Sequence, residues 1–176
     1  VPGWAWPSSR ARWRAWVAPS PSIAARWAAT APLGSQIGVG GPRGSAVITG
    51  TPGSWFLAGD ETAIPAIRRF AALIGDQPAR IVIEAHGAED EIEIDAPVKV
   101  EWLHRGDEPA GSALISFLDG LGESDATGSD PFVFVAAEQS VVKPGRALLA
   151  RWGVSTDHAT VKGYWKRGEA EYPAPH

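Results

Sequence analysis

The sequence predicts an α/β fold in which a mostly parallel, five-stranded sheet carries helices on both faces. Five short runs of β-branched and aromatic residues follow one another from Trp55 onward. Three segments with apolar residues at helical spacing lie between them. The runs are continuously apolar rather than alternating, which is typical of parallel strands that are covered on both sides. The predicted order from Trp55 is therefore β-α-β-β-α-β-α-β.

The first four elements follow from local residue patterns. WFLAGD at 55–60 is an apolar run that ends in a turn of glycine and acid. IPAIRRFAALIG at 64–75 carries apolar residues three and four positions apart, so it predicts an amphipathic helix. ARIVIEAH at 79–86 and VKVEWLHR at 98–105 are β-branched runs that predict the second and third strands.

The other four elements follow in the same way. ALISFLDGLG at 113–122 predicts a short helix that a glycine ends. FVFVAAE predicts the fourth strand, and ATVKGYWKRGE at 159–169 predicts the fifth. SVVKPGRALLARWG at 140–153 predicts a helix in its second half only, because Pro144-Gly145 is expected to delay or break its start.

The segment before Trp55 has a different character. Residues 1–22 predict irregular structure, and a helix is expected over 23–30 with Ser22 as its N-cap. Residues 34–53 are dense in glycine and hold short apolar runs, which predicts strands and turns at the edge of a β-structure.

Composition narrows the functional classes. The 176 residues are 44% hydrophobic and 20% charged, which is typical of a folded domain and excludes a disordered chain. Cysteine is absent, so the sequence has no disulfides, no thiolate metal ligands and no catalytic thiol. A chain without disulfides is compatible with a reducing compartment, and we expect a cytoplasmic protein.

Charge is distributed unevenly along the chain. Five arginines and no acidic residue precede Asp60, so a basic segment is followed by an acidic remainder. The basic segment is also rich in tryptophan, a pattern found in arms that bind membranes or nucleic acid. However, four prolines among the first 21 residues prevent a long amphipathic helix, and the basic arm is short. We therefore expect neither a membrane nor a nucleic acid as partner.

The first candidate site follows the first predicted strand. In parallel sheets of this kind, ligands bind in a crevice at the carboxyl ends of the strands. Gly59 permits a sharp turn there, Thr62 can cap the next helix, and Pro65 suits the first helical turn. The free N–H groups of a helix start favour an anion, whereas Asp60 and Glu61 already complement the helix dipole. A ligand site and a simple acidic cap are equally compatible with this segment.

Three further segments lie at predicted strand ends. Glu84 to Gly87 follows the second strand, and His104-Arg105 ends the third, where these two side chains could contact a phosphate or a ribose. A solvated loop is the more common explanation for a lone histidine of this kind. Ala137, Glu138 and Ser140 form a small-residue turn after the fourth strand.

Residue spacing indicates neither an acid–base centre nor a metal centre. The chain lacks a G-x-S-x-G elbow, and its four histidines lack the H-E-x-x-H spacing of zinc hydrolases. The acidic cluster at 89–95 lacks the spacing of a calcium loop and is interpreted as a solvated edge. No catalytic residue and no metal ligand is therefore predicted.

Taken together, WFLAGDETAIPAI, VEWLHR, FVFVAAE and GYWKRGEAE resemble the C-terminal half of the siderophore-interacting protein family. These are NAD(P)H-dependent ferric-siderophore reductases of the ferredoxin–NADP reductase superfamily. The resemblance covers about residues 33–172. PLGSQIGVGGPRGS is similar to the segment that closes the family's flavin-binding barrel, and Arg26 to Ala28 to the end of its flavin-phosphate helix motif. The family's Arg-x-Tyr-Thr flavin signature does not occur in this chain.

The resemblance implies a domain division and a set of roles. Residues 1–54 would combine an irregular leader with an incomplete β-barrel remnant of the flavin domain, and residues 55–176 would be the NAD(P)H-binding domain. The implied cofactor contacts are Gly59, Asp60, Glu61, Thr62, Ala63, Pro65, His104, Arg105, Ala137, Glu138, Ser140, Tyr164 and Trp165. Lys166 and Arg167 would attract an anionic ferric siderophore, although a solvated strand end also explains this pair.

The resemblance also implies a reaction and partners. In the family, electrons pass from NAD(P)H through FAD to the ferric iron of a siderophore, whose oxygen ligands hold ferrous iron poorly. The cofactors supply the chemistry and the protein orients them. An incomplete barrel is expected to expose strand edges, which favours a homo-oligomer.

Two other functions are consistent with the sequence. The chain could be a truncated nucleotide-binding module that is not catalytic without a flavin-binding partner. Alternatively, the basic arm could bind nucleic acid, a hypothesis that the acidic remainder of the chain disfavours.

Overall fold

A computed structural model describes Ile48 and residues 50–169 of the chain. Five parallel strands form one sheet in the spatial order β3-β2-β1-β4-β5. The strands are β1 (Ser54–Asp60), β2 (Ala79–Ala85), β3 (Val100–His104), β4 (Pro131–Glu138) and β5 (Ala159–Trp165). The predicted α/β class and element order are confirmed. The predicted helix at 23–30, the glycine-rich strands and the barrel remnant lie outside the described residues.

Three α-helices cover the sheet on its two faces. They are α1 (Ile64–Ala71), α2 (Ser112–Gly120) and α3 (Val142–Trp152). On one face, Ile67 and Phe70 of α1 pack against Leu57 of β1 and Phe134 of β4. On the other face, α2 and α3 cover a second apolar cluster. That cluster includes Phe56, Val82, Leu114, Leu118, Val135 and Leu148. Both sides of each central strand are buried, which explains the unbroken apolar runs in the sequence.

The Pro-Gly pair does not delay α3, so that prediction is wrong. The helix begins at Val142 and includes both Pro144 and Gly145. A proline in the first turn removes only an N–H group that has no acceptor within the helix. Gly145 is buried, and a Cβ placed on it would lie 2.8 Å from the Cγ1 of Val161. The glycine therefore lets α3 lie close against β5.

Other element bounds differ slightly from those predicted. Helix α1 ends at Ala71 rather than at residue 75, because the chain then turns through bonds such as that from the Leu73 N–H to the Phe70 carbonyl. Strand β5 ends at Trp165, and a turn follows in which Gly168 has a φ of +83°. Within the described residues, no helix is long and apolar enough to cross a membrane.

Candidate functional site

The sheet topology places a switch point between β1 and β4, the position at which sheets of this kind form a ligand crevice. Strands β2 and β3 lie on one side of β1 in the sheet, while β4 and β5 lie on its other side. The order therefore reverses between β1 and β4, and ligands of open α/β sheets bind outside the carboxyl ends of the strands at such a switch point. The predicted segments Gly59–Pro65 and Ala137–Ser140 both lie at this edge.

A short 3₁₀ turn follows β1 and leads into α1. Asp60 is the N-cap of this turn, which spans Glu61–Ala63. Its Oδ1 accepts hydrogen bonds from the Thr62 N–H at 2.9 Å and from the Thr62 hydroxyl at 2.5 Å. Thr62 therefore donates back to Asp60 and does not cap α1, whose N-cap Ala63 makes no side-chain bond. Pro65 lies in the first turn of α1, as predicted.

Gly59 allows β1 and β4 to approach closely at the crevice. A Cβ placed on Gly59 would lie 2.4 Å from the Cβ of Ala63 and 2.5 Å from the carbonyl oxygen of Ala136. Gly59 and Ala136 are directly paired in the β1–β4 ladder. Space, rather than an unusual backbone angle, is what requires glycine at this position.

The second carboxylate oxygen of Asp60 joins two other strands. Asp60 Oδ2 accepts a hydrogen bond from the Glu138 N–H at 3.1 Å and another from the indole Nε1–H of Trp165 at 2.8 Å. The side chain is 0% exposed. Burial raises the pKa of Asp60, while the hydrogen bonds from Thr62 and Trp165 act in the opposite direction. Asp60 thus lies beneath the crevice and holds the ends of β1, β4 and β5 together.

The end of β4 repeats the same local arrangement. Glu138 Oε2 accepts hydrogen bonds from the Ser140 N–H at 2.7 Å and the Ser140 hydroxyl at 2.5 Å. Its Oε1 accepts from the backbone N–H of Arg167 at 3.2 Å. Burial acts to raise the pKa of Glu138, but the hydrogen bonds from Ser140 and Arg167 outweigh it and hold that pKa below its ordinary value. An acid followed two positions later by a hydroxyl residue is the sequence signal that both turns share.

A bulge changes the direction of the side chains at the end of β5. Ala137 pairs with Gly163, but Glu138 pairs with Trp165, so Tyr164 is an extra residue in β5. The Tyr164 ring packs edge-on against Phe134, with centroids 6.5 Å apart. Burial and then the charge of Asp60 raise the pKa of the Tyr164 hydroxyl. The two aromatic side chains at the bulge therefore have different partners. The Tyr164 ring packs against Phe134, and the Trp165 indole donates to the buried Asp60 carboxylate.

The predicted siderophore-facing pair lies on the turn after β5. Lys166 and Arg167 are both exposed. The Lys166 ammonium forms an ion pair with Glu169, and the Arg167 backbone is held by Glu138. This turn therefore presents two cations to solvent next to the crevice.

His104 and Arg105 do not act together. His104 Nε2 lies 2.8 Å from Glu91 Oε1, whereas Arg105 Nη1 lies 2.9 Å from Glu61 Oε1. Adjacent residues at a strand end point to opposite faces of the sheet, which explains the separation. Arg105 is paired with Glu61 on the turn after β1, beside the crevice, whereas His104 is paired with Glu91.

Glu84 is a site residue that the sequence analysis did not assign. It lies opposite Asp60 in the β1–β2 ladder and is 0% exposed. Its carboxylate accepts backbone bonds from Gly111 at 2.6 Å and Leu114 at 2.8 Å, and Arg105 Nη1 lies 3.6 Å away. Burial raises the pKa of Glu84, and the two backbone hydrogen bonds and the charge of Arg105 act against that effect. Glu84 thus occupies the N-terminus of α2, where a ligand anion would otherwise bind. In the sequence, the only sign of this role for Glu84 is that an acid occurs near the end of an apolar strand.

The chemistry of the crevice suits one part of a pyridine nucleotide better than another. The part-exposed Glu61 carboxylate and the exposed hydroxyls of Thr62 and Ser140 can form hydrogen bonds to a ribose, while the N-terminus of α2 is already neutralised by Glu84. The neighbouring cation Arg105 is paired with Glu61. Nicotinamide and ribose carry no phosphate charge of their own, so these residues suit the uncharged parts of the nucleotide better than its pyrophosphate. The described residues contain no group of three or more His, Cys, Asp or Glu side chains placed to hold a metal ion.

A nucleotide-type α/β sheet with this switch-point crevice defines a broad class of proteins, and comparison with known proteins identifies the family. The siderophore-interacting protein family matches residues 53–168. This match spans more than half of the chain, so the chain belongs to the siderophore-interacting protein family. The family resemblance predicted from the sequence is confirmed.

Two curated relatives support this assignment. An uncharacterized protein of Mycobacterium tuberculosis is 33% identical over 168 residues, which cover 85% of this chain and 57% of the relative. The ferric vibriobactin reductase ViuB of Vibrio cholerae is 31% identical over 153 residues, which cover 82% of this chain and 55% of ViuB. The chain therefore spans about half the length of the curated relatives it matches.

Solved structures agree with the fold. A siderophore utilization protein from T. fusca is 31% identical, with a TM-score of 0.59, over 68% of this chain and 47% of that protein. The siderophore-interacting protein SipS from Aeromonas hydrophila shares the fold at 22% identity, with a TM-score of 0.58, over 69% of this chain and 49% of SipS. The individual cofactor contacts and the division of the chain at residue 54 stay predictions.

Proposed function

We propose that this chain carries the NAD(P)H-binding part of a ferric-siderophore reductase that works through a flavin. The observation that carries the proposal is the switch point at the carboxyl ends of β1 and β4 in a member of the siderophore-interacting protein family. The relative ViuB, a ferric vibriobactin reductase, supports a ferric siderophore as the substrate class.

The nucleotide would be held by the two turns at the crevice. Gly59–Thr62 and the segment from Ala137 to Ser140 supply backbone groups, hydroxyls and a half-exposed acid, Glu61, to a ribose and a nicotinamide. A bound NAD(P)H would supply a hydride, and a flavin would divide these two electrons into single electrons for ferric iron. The residues of this chain bind and orient these groups, so no acid–base residue is required.

The segments that resemble the flavin-binding part precede the described residues. Tyr164, at the end of β5, is a partly exposed aromatic side chain that could pack against a flavin ring. We place the reaction in the cytoplasm because the cysteine-free composition suits a reducing compartment. Self-association through strand edges before Ser54 is a prediction that sedimentation would test.

Absorbance and kinetics test the proposed function directly. The purified chain is titrated with FAD and with NADH or NADPH, and ferrous iron release from a ferric siderophore is followed with a ferrous chelator. We expect flavin absorbance bands and NAD(P)H-dependent iron release. A chain that binds NAD(P)H but no FAD, and gains no activity from added FAD, would instead be the nucleotide-binding module that needs a flavin-binding partner.

The siderophore contact has its own test. Replacing Lys166 and Arg167 with alanine removes two exposed positive charges beside the crevice. We expect weaker binding of an anionic ferric siderophore and unchanged binding of NAD(P)H. The matched control replaces Arg69 and Lys99, two exposed cations on α1 and ahead of β3, with alanine. Equal losses in both double variants would contradict a local role for the turn, because general electrostatic attraction would then explain the binding.

A further inference from the structure

The indole of Trp165 points inward at the place where the siderophore-facing turn begins. The bulge at Tyr164 shifts the β4–β5 register by one residue and pairs Trp165 with Glu138. Bulges beside functional sites commonly re-aim a side chain in this way. Here the indole N–H bonds to Asp60 at 2.8 Å, across 105 positions of the chain.

The bond made by Trp165 ends on a carboxylate that also holds the nucleotide turn. Asp60 Oδ1 accepts two hydrogen bonds from Thr62, and Asp60 Oδ2 accepts one from the Glu138 N–H. Glu138 in turn accepts the backbone N–H of Arg167. Two buried carboxylates therefore connect the turn after β1 to the turn after β5. Hydrogen bonds to ionised acceptors are about twice as strong as neutral ones, so this connection is firm.

Each oxygen of Asp60 accepts two hydrogen bonds, and at least one donor on each oxygen is an N–H that cannot accept. The Thr62 groups lie on Oδ1, and the Glu138 N–H and the Trp165 indole lie on Oδ2. An asparagine at this position would turn an N–H₂ donor toward one of these two donor pairs, whichever way its amide was oriented. The arrangement is therefore specific for a carboxylate and for a ring N–H that reaches it.

We propose that Trp165 is a positioning residue, whose indole N–H bond to Asp60 fixes the segment from Tyr164 to Arg167 against the nucleotide turn. This inference rests on the proposed function, because it assigns the segment the task of facing the bound cofactors and the ferric siderophore. Trp165 then acts through the backbone that it holds, and its indole N–H faces the protein rather than a ligand.

The test compares Trp165→Phe with Trp152→Phe in the full chain. Both changes keep an aromatic ring and remove one indole donor, since Trp152 Nε1–H donates to the Gly122 carbonyl at 2.8 Å, away from the crevice. Amide hydrogen exchange measured by NMR reports on the Arg167 N–H. We expect exchange at Arg167 to accelerate at least about tenfold in Trp165→Phe, the factor that corresponds to one hydrogen bond to a charged group, and to stay unchanged in Trp152→Phe.

Kinetics separate positioning from a general structural role. With FAD, NAD(P)H and a ferric siderophore present, Trp165→Phe should lower kcat about tenfold while leaving the KM for NAD(P)H within about twofold. Trp165→His keeps a ring N–H and should recover part of both kcat and the Arg167 protection. It also serves as the second variant if Trp165→Phe does not fold.

Three results would overturn the proposal. The first is an exchange rate of the Arg167 N–H in Trp165→Phe that equals the rate in the wild type. The second is an accelerated exchange with kcat no lower than in Trp152→Phe, which would reduce Trp165 to a structural role. The third is equal loss in the Phe and His variants, which would implicate ring size instead of the hydrogen bond. A wild-type chain without reductase activity would refute the proposed function, whereas the exchange comparison would still decide whether Trp165 holds the segment.

Discussion

Replacing Gly59 with alanine is the sharpest test of the close approach between β1 and β4. The added Cβ would lie 2.4 Å from the Ala63 Cβ and 2.5 Å from the Ala136 carbonyl oxygen, whereas ordinary contacts are 3.4–4 Å. Both neighbours belong to the fold's central framework, because Ala136 is in β4 and Ala63 leads into α1. The strands must therefore separate by roughly an ångström, or the turn must move.

The size of the effect follows from known overpacking costs. Inserting a methyl group into a packed interior costs about 1–3 kcal/mol, and two simultaneous overlaps place Gly59→Ala near 3 kcal/mol. With a urea m-value of about 2 kcal/mol/M, the unfolding midpoint should fall by about 1.5 M. The thermal midpoint should fall by about 6–12 °C. NAD(P)H affinity should fall as well, because the displaced turn forms one wall of the proposed site.

Gly120→Ala is the matched control for this substitution. Gly120 is the last residue of α2, and a Cβ placed on it would meet nothing within 4 Å. The control should be neutral or slightly stabilising, since alanine favours a helix over glycine by up to about 1 kcal/mol. If the urea midpoint of Gly59→Ala equals that of Gly120→Ala, the close approach is not rigid and the reasoning fails.

Two further substitutions test the buried carboxylates. Ser140→Ala should lower the free energy of unfolding by about 1–2 kcal/mol at pH 7, because it removes a hydroxyl bond to the Glu138 carboxylate. The folded pKa of Glu138 is depressed. Urea unfolding should therefore show this cost above pH 4.5 and lose it as the pH falls through that folded pKa. A cost that does not diminish as the pH is lowered from 4.5 until Glu138 is protonated would contradict this account. Arg105→Gln should cost about 1–3 kcal/mol at a pH where Glu84 is ionised, because it withdraws a cation from this buried carboxylate. The raised pKa of Glu84 rises further in this variant, so its unfolding cost should fade as the pH falls below that pKa. Glu61→Gln, which removes only a half-exposed partner of Arg105, should cost less than about 1 kcal/mol. Equal costs for the two variants would show that Arg105 does not act on Glu84.

Local residue patterns predicted most of the fold because each strand and helix depends on residues that are close together in the chain. Strand β4 is recognisable as PFVFVAAE because a strand covered on both faces needs apolar residues at every position. The helix α1 is recognisable because only one of its faces is buried. The error at Pro144 came from treating proline as a helix breaker when it lies in the first turn of α3, where no helical bond is lost.

The candidate site was predicted only as a set of segments. The turns after β1 and β4 were correctly placed at the crevice, because parallel strands end at the same edge of a sheet. The pairing of His104 with Glu91 and of Arg105 with Glu61 was not predictable, since each pair joins residues from separate parts of the chain. Glu84 was overlooked as a helix anchor because its backbone donors lie 27 and 30 positions further along the chain.

The sequence alone determined the strands, the helices, their order and the family to which the chain belongs, because each depends on residue patterns that are close together or in a constant order. Tertiary structure alone decided what the buried acids do. Asp60 could have been a ligand-binding acid or a simple cap, and its bonds to Glu138 and Trp165 span 78 and 105 positions. A hydrogen bond depends on distance in space and not on separation along the chain, so the role of this carboxylate emerges only when three strand ends meet.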